Sequence, residues 1–256
     1  MFKIGDFVTR NSYNNDIIFI IIDIDNNKAT LKGMDVRLIA DSPISDLVMC
    51  DKKINDDEII DSINVNLDRN DYFYMPGKIL HIDGDCEYLA RCLKLYKKNN
   101  VLAYGICEKE EEMKNVVVKH LNNIKPDILV ITGHDAYYKK NNDRNSLKSY
   151  LNSENFINTV IEARKYERAH DKLIIIAGAC GSFYEALIKN GANFASSPKR
   201  INIHALDPAI IALKVSLSDV NKDIDIKEII DETKYGKDGI GGIITRGTMF
   251  IGYPRS

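Results

Sequence analysis

The chain of 256 residues has no tryptophan, only six prolines, and no apolar run long enough to cross a bilayer. Its longest run, Ile17 to Ile22 in "DIIFIIIDID", falls far short of the roughly 20 residues a membrane-spanning helix needs. Near the N-terminus no basic stretch leads into a hydrophobic one, so no export or anchoring signal is expected. An excess of either charge is missing as well. With 28% charged residues and a net charge of -2, the chain lacks the electrostatic footprint of a nucleic-acid or anionic-membrane binder. The five cysteines (Cys50, Cys86, Cys92, Cys107, Cys180) are odd in number and form no C-x-x-C pair. That argues against zinc and fits free thiols in a reducing cytoplasm, most of them small apolar filler. No metal or cofactor is expected.

What is present is apolar material, 45% of the residues, enough for one large domain or a medium domain with a small one attached. Residues 1–50 hold three β-rich segments, "GDFVTRNSY", "DIIFIIIDID" and "KATLKGMDVRLIAD", punctuated by Asn, Asp and Gly. They show no helical period, which predicts a small β-barrel or curled sheet. Residues 51–76 turn acidic and polar and read as a linker, with one short helix around Ile59, Ile60 and Ile63. From residue 77 to 256, strand-like runs alternate with helical ones. That pattern predicts an α/β domain, a mostly parallel sheet with helices on both faces. Strands are expected at 78–83, 101–107, 127–132, 172–178, 201–206 and in "GGIITRGTMFIG", and helices at 88–98, 110–124, 152–168, 181–190 and 208–217.

In such sheets ligands gather beyond the carboxyl ends of the strands. The stretches there are "DGD" (83–85), "EKEEE" (108–112), "TGHDAYY" (132–138), "AGACGS" (177–182) and "ALDP" (205–208). Two of them carry the parts of a thiol nucleophile system, His134 and Cys180, after strands expected to be neighbours. A thiol with a pKa of about 8.5 is mostly protonated at neutral pH, so an imidazole or a helix N-terminus is needed to raise its thiolate fraction. Cys180 is expected to have both, and Gly178 and Gly181 permit the turn that exposes the sulfur. The competing reading makes Cys180 core filler in a Gly/Ala-rich turn; the matching position of His134 weighs against it. His81 and His204 fall inside expected strands and read as satisfied core residues.

Asp83 and Asp85 end the first strand of the sheet and face the same crevice. They are either turn formers or the floor of a pocket for a basic side chain, whose fork geometry favours Arg over Lys. Asp207 is a further candidate by the same logic. Gly133, Asp135 and Gly181 border the pair of catalytic candidates and complete the expected substrate-binding rim. Asp135 is not expected to orient His134, because adjacent side chains seldom hydrogen-bond each other. Ser196 and Ser197 in "GANFASSPKR" are expected to line the cleft as donors.

"GDFVTRNSY", "LKGMDVRLIADSPISDL", "LHIDGD", "PDILVITGHDAYY", "AGACGSFYEALIKNGANFASSP" and "NIHALDP", in this order, resemble the YabG family of sporulation-specific peptidases over nearly the whole chain. The resemblance implies a cysteine endopeptidase of the mother-cell cytoplasm, associated with the spore coat. Such an enzyme cuts spore coat and cortex-associated proteins after arginine and often cuts itself, with Cys180 as nucleophile and His134 as general base. A broader likeness, to the caspase, gingipain and clostripain group, implies a caspase-like sheet. In that group the residue reading the side chain before the cut lies just past the first strand, where Asp83 and Asp85 stand. Arg10, Arg37 and Arg69 are the expected self-cleavage points, Arg69 first because its segment is the most polar. Two rivals stand beside this reading. "GACGS" is one residue away from the G-x-C-x-G elbow of amidotransferase-like hydrolases, with Ser182 in place of the final glycine. Alternatively, the chain is a coat scaffold without activity.

Overall fold

The computed structural model describes residues 2–51, 56–63, 67, 71–138 and 143–255. Phe7–Arg10 (β1), Phe19–Asp25 (β2), Lys28–Gly33 (β3), Ile39–Pro43 (β4) and Leu47–Met49 (β5) form an antiparallel sheet in the order β4-β3-β2-β1-β5. Alternation along the strands builds its core: Phe19 and Ile21 of β2 meet Val8, Ala29, Leu31 and Leu47. The register shifts between Ile21 and Asp23, a bulge that bends β2. Among the described residues β4 and β5 are edges with no ladder between them, so the expected small barrel is seen as an antiparallel sheet of five strands. Between β3 and β4 the connection Met34–Leu38 leaves this sheet and enters the other half of the molecule.

The acidic segment 51–76 carries structure of its own. Its helix Asp57–Ser62 (α1) buries Ile60 against Leu95 and Tyr96, and Asp56 accepts a 2.8 Å hydrogen bond from Arg91. Phe73–Met75 (β6) pairs antiparallel with Phe250–Gly252 (β13).

The larger half follows in the order Ile79–Asp83 (β7), Cys86–Lys98 (α2), Ala103–Cys107 (β8), Met113–Ile124 (α3), Ile128–Thr132 (β9), Ser153–Tyr166 (α4), Ile174–Ala177 (β10), Tyr184–Lys189 (α5), Phe194–Ser196 (β11), Asp207–Ser216 (α6), Ile226–Asp231 (α7), Gly236–Gly239 (α8) and Ile240–Gly242 (β12). Its sheet has the order β12-β11-β10-β9-β7-β8, parallel except for β12. Both faces are covered, which is why β7, β9 and β10 read as nearly continuous apolar runs. Ile79, Val130, Ile174 and Ile176 point to one core with Cys92, Leu95 and Ile210 from α2 and α6. Leu80, Leu129, Ile131 and Ile175 point to the other, with Val117, Phe156, Val160 and Leu187 from α3, α4 and α5. Among the described residues no helix is long and apolar enough to cross a membrane.

Four expectations are corrected. Residues 201–206 are not a sheet strand; only His204 forms a bridge, and it pairs with Val36 of the N-terminal half. The strand beside β10 is instead β11, absent from the expected strands because three residues are too few to show a period. "GGIITRGTMFIG" is split between β12 and β13, which belong to different sheets. Cys86 and Cys107 are joined in a disulfide: parallel pairing sets Asp83 opposite Cys107, and the turn after β7 carries Cys86 to the same level.

Ile176 is fully buried in the middle of the sheet, so Ile176→Ala is expected to lower unfolding free energy by about 3 kcal/mol. Urea titration checks this, and a loss under about 1 kcal/mol would contradict the packing described.

Candidate active site

Register decides what meets at the carboxyl edge of the sheet. Asp83 pairs with Thr132 and Ile131 with Ala177, so His134 and Cys180 each lie three residues beyond a matched pair on adjacent strands. Asp83 stands at the end of the next strand over. These expected residues are therefore gathered at one edge. The helix expected at the thiol starts later, at Tyr184, and Cys180 sits in a turn made possible by Gly178 (φ 101°) and Gly181 (φ 68°), both in the left-handed region.

The expected exposure of the sulfur is corrected: Cys180 is 1% exposed, and burial pushes its pKa up to about 12. Its sulfur accepts from the Ile203 N–H at 3.2 Å and faces the Ile203 carbonyl at 3.8 Å. The cover comes from the N-terminal half. Arg37 donates its backbone N–H to the Ile203 carbonyl (3.3 Å), and its backbone also acts on the thiol, favouring the ionised form. Leu38 lines a groove of about 380 Å³ together with Cys180, Gly181, Tyr137 and Arg200.

His134 is held on several sides. Its Nε2 lies 3.1 Å from Asp85 Oδ2, its N–H donates to Glu110 Oε1 at 2.8 Å, and its carbonyl accepts from Asn152 at 2.9 Å. The ring tilts against Tyr88 with centroids 5.7 Å apart. Its Nδ1 is buried and has no hydrogen-bond partner among the described residues. Asp85, expected in a pocket, serves the imidazole and Lys32 Nζ (2.7 Å) with one oxygen. With the other oxygen it caps α2 by accepting from the Glu87 and Tyr88 N–H groups. Burial would raise its carboxyl, but the bonds from His134 and Lys32 outweigh that and hold it well below the usual carboxylate range.

Asp83 is where a guanidinium sits. Arg37 Nη1 donates to Asp83 Oδ1 at 3.0 Å and Nη2 approaches Oδ2 at 2.9 Å, while Nε and Nη2 reach the Ala205 carbonyl at 3.2 and 3.0 Å. Both side chains are 0% exposed. Burial would raise the Asp83 carboxyl; the Arg37 charge and the bond to His81 outweigh it and keep it ionised. His81 itself is satisfied in the core, as expected, by Tyr96 and Thr132 hydroxyls at 3.0 Å each.

The remaining expected residues have other surroundings. Asp135 straps the two site loops together, accepting from Ser182 (2.7 Å) and Ser153 (2.5 Å) hydroxyls. Ser196 donates to the Gly178 carbonyl at 3.2 Å, and Gly181 N–H donates to the Ile201 carbonyl and the Ser197 hydroxyl. Gly133 makes way for Glu110, whose Oε1 would lie 2.4 Å from a Cβ added there. Asp207 faces backbone, accepting from the N–H groups of His204 and Lys234 at 3.0 Å each. Sequence reasoning assigned no role to Tyr88 or Lys32, nor to Glu110 within "EKEEE". Their signal was a strand-end or helix-start position without a motif. No group of three or more His, Cys, Asp or Glu side chains among the described residues could hold a metal.

His204 is 1% exposed, and burial lowers its pKa from 6.5 to about 4. Below pH 6.5 the unfolded chain takes a proton that the folded one refuses until about pH 4. The stability His204 contributes is thus present above pH 6.5 and lost as pH falls through about 4. The destabilisation caused by His204→Gln is expected to be about 3 kcal/mol smaller at pH 4 than at pH 7. Urea unfolding at both pH values checks it; a pH-independent difference would be the contrary result.

Comparison with known proteins identifies the family. The sequence profile described as YabG peptidase U57 matches residues 3–66 and 51–254. The chain is 44% identical over 287 aligned positions to the Sporulation-specific protease YabG of Bacillus subtilis (strain 168), covering 99% of this chain and 98% of that one. No solved structure matches. With both halves matched and the identity spanning the whole chain, this protein belongs to the YabG peptidase U57 family and is a protease.

Proposed function

We propose that the chain is a cysteine endopeptidase that cuts after arginine, with Cys180 as nucleophile and His134 as proton carrier. It acts in the mother cell during sporulation on spore coat and cortex-associated proteins, and on its own chain. The observation that carries this reading is the Asp83 carboxylate gripping a guanidinium through two parallel bonds at the sheet edge where Cys180 lies. Two-point gripping suits the planar fork of arginine and not the single ammonium of lysine.

In this reading a substrate segment lies extended against Ile203–Ala205, its arginine side chain on Asp83. His134 takes the thiol proton through Nδ1, which has no hydrogen-bond partner among the described residues, and Asp85 at Nε2 steadies the imidazolium that forms. The sulfur attacks the arginine's own carbonyl carbon, and the bond from that carbon to the next residue's nitrogen breaks. The Cys180 N–H and a donor near His134 stabilise the oxyanion. His134 then protonates the departing amine and activates the water that frees the acyl group.

Cys180→Ala is expected to abolish cleavage with an unchanged circular dichroism spectrum; retained turnover would remove the nucleophile. Peptides matched except for arginine or citrulline before the cut separate charge from shape. Citrulline leaves the buried Asp83 without its charged partner, so kcat/KM is expected to fall by at least about 100-fold. Equal rates on both would exclude Asp83 as the specificity determinant. Hydrolysis of free glutamine instead of peptides would favour the amidotransferase-like alternative, and no hydrolysis at all the scaffold.

A further inference from the structure

The arginine pocket already has an occupant from the same chain. Three backbone contacts lay residues 35–37 along Ile203–Ala205 in the antiparallel sense. Ala205 N–H donates to the Asp35 carbonyl (3.1 Å), Val36 bridges His204, and Arg37 N–H donates to the Ile203 carbonyl (3.3 Å). Ile203 also supplies both backbone groups that flank the Cys180 sulfur, so pairing with it brings the Arg37 backbone to the thiol. The side chain is fully seated on Asp83. At Arg37 the chain turns back sharply: Leu38 N–H donates to the Val36 carbonyl at 2.9 Å, a γ-turn. The loop is closed behind it by Gly33 N–H on the Leu38 carbonyl (2.7 Å). From the peptidase side, the Tyr88 hydroxyl donates to the Gly33 and Val36 carbonyls at 2.5 and 3.0 Å. Arg91 reaches the Met34 carbonyl at 2.7 Å, and Lys234 pairs with Asp35 at 2.6 Å.

A purely structural ion pair needs a buried carboxylate and a guanidinium. It does not need the backbone of the arginine to lie along the same residues that hold the nucleophile, nor the next residue to sit in the groove beside it. From this conjunction, and resting on the function proposed above, we infer that Arg37–Leu38 is the bond at which this chain processes itself in cis. Residues 33–38 fill the arginine site until that cut is made. Of the other two arginines raised by the sequence, Arg10 has no such setting among the described residues. Arg10 packs over the Tyr13 and Phe19 rings in the N-terminal sheet, and Arg69 lies outside the described residues.

The chemistry is a hydrolysis. The Cys180 sulfur bonds to the Arg37 carbonyl carbon and the carbon–nitrogen bond to Leu38 breaks, the Leu38 amine leaving with the proton taken from the thiol. Water then displaces sulfur from the thioester, giving the Arg37 carboxylate and restoring the thiol. The products are a chain ending in Arg37 and a chain beginning with Leu38. The cut severs the link that returns Arg37 to β4, so residues 34–37 are free to leave the cleft, and the thiol loses the cover that raises its pKa.

The test is intact-mass analysis of purified full-length protein over time, alongside cleavage of an arginyl peptide. The wild-type chain is expected to split after Arg37 with a first-order rate independent of protein concentration, and peptide cleavage is expected to rise with the same time course. Cys180→Ala should stay whole, even with a trace of processed wild type added, because its Arg37–Leu38 bond is shielded in its own cleft. Arg37→Lys keeps a positive charge on Asp83 and is expected to split at least about tenfold more slowly. If the peptide is cut while Arg37–Leu38 remains intact, the self-processing site is wrong and the arginine-directed peptidase stands. If neither is cut, both fail. Splitting at this bond in Cys180→Ala as well would assign it to another protease and overturn the inference.

Discussion

The buried ion pair between Arg37 and Asp83 joins the two halves of the molecule, and the arrangement at the sheet edge depends on it. Neither group has access to water, so each carries a desolvation cost that only the other offsets. Removing one partner of such a pair typically costs about 3–5 kcal/mol because the survivor is left charged and dry. The structure meets this demand: both Asp83 oxygens accept from the guanidinium, Thr132 adds a hydroxyl at 2.9 Å, and the Ala205 carbonyl accepts from Nε and also from Nη2.

Around this pair, single residues do two jobs at once. Asp85 starts α2 and holds the imidazole, so its helix and His134 are fixed by one side chain. Asp135 joins the loops after β9 and β10 through Ser153 and Ser182, which sets the relative placement of the residues on either side of it. Glu110 fills space that Gly84 and Gly133 leave open and pins the His134 backbone. Positioning here comes from buried hydrogen bonds on short turns, supported by strands whose register is fixed by two apolar faces.

Much of the larger half was legible because doubly buried parallel strands write themselves as apolar runs, and "ILHID", "ILVIT" and "IIIA" fall where expected. The placement of His134 and Cys180 followed from counting past those runs. What stayed hidden was long-range. Nothing local in "KGMDVRL" reveals that Arg37 lies against Asp83, because the partners are 46 positions apart and belong to different halves. Asp83 and Asp85 look alike in "DGD", yet one faces a guanidinium and the other an imidazole. The end of β7 decides that, not composition: Asp83 is the last residue of the strand, whereas Asp85 lies past it and caps α2. The Cys86–Cys107 disulfide was missed for a related reason: spacing alone does not say which strand ends are neighbours. Residues 201–206 looked like a strand because they are apolar and extended, but their backbone pairs with the connection Met34–Leu38 instead of the sheet.

Chain order gives that connection a part in biogenesis. The N-terminal sheet is built from contacts near in sequence, whereas β11, β12, β13 and Ile203–Ala205 are all late. At roughly 5–20 residues per second of translation, the delay between Leu38 and Ala205 leaving the ribosome is on the order of ten seconds. Small β domains close in milliseconds to about a second. The loop bearing Arg37 is therefore synthesised well before Ile203–Ala205, the residues its backbone pairs with.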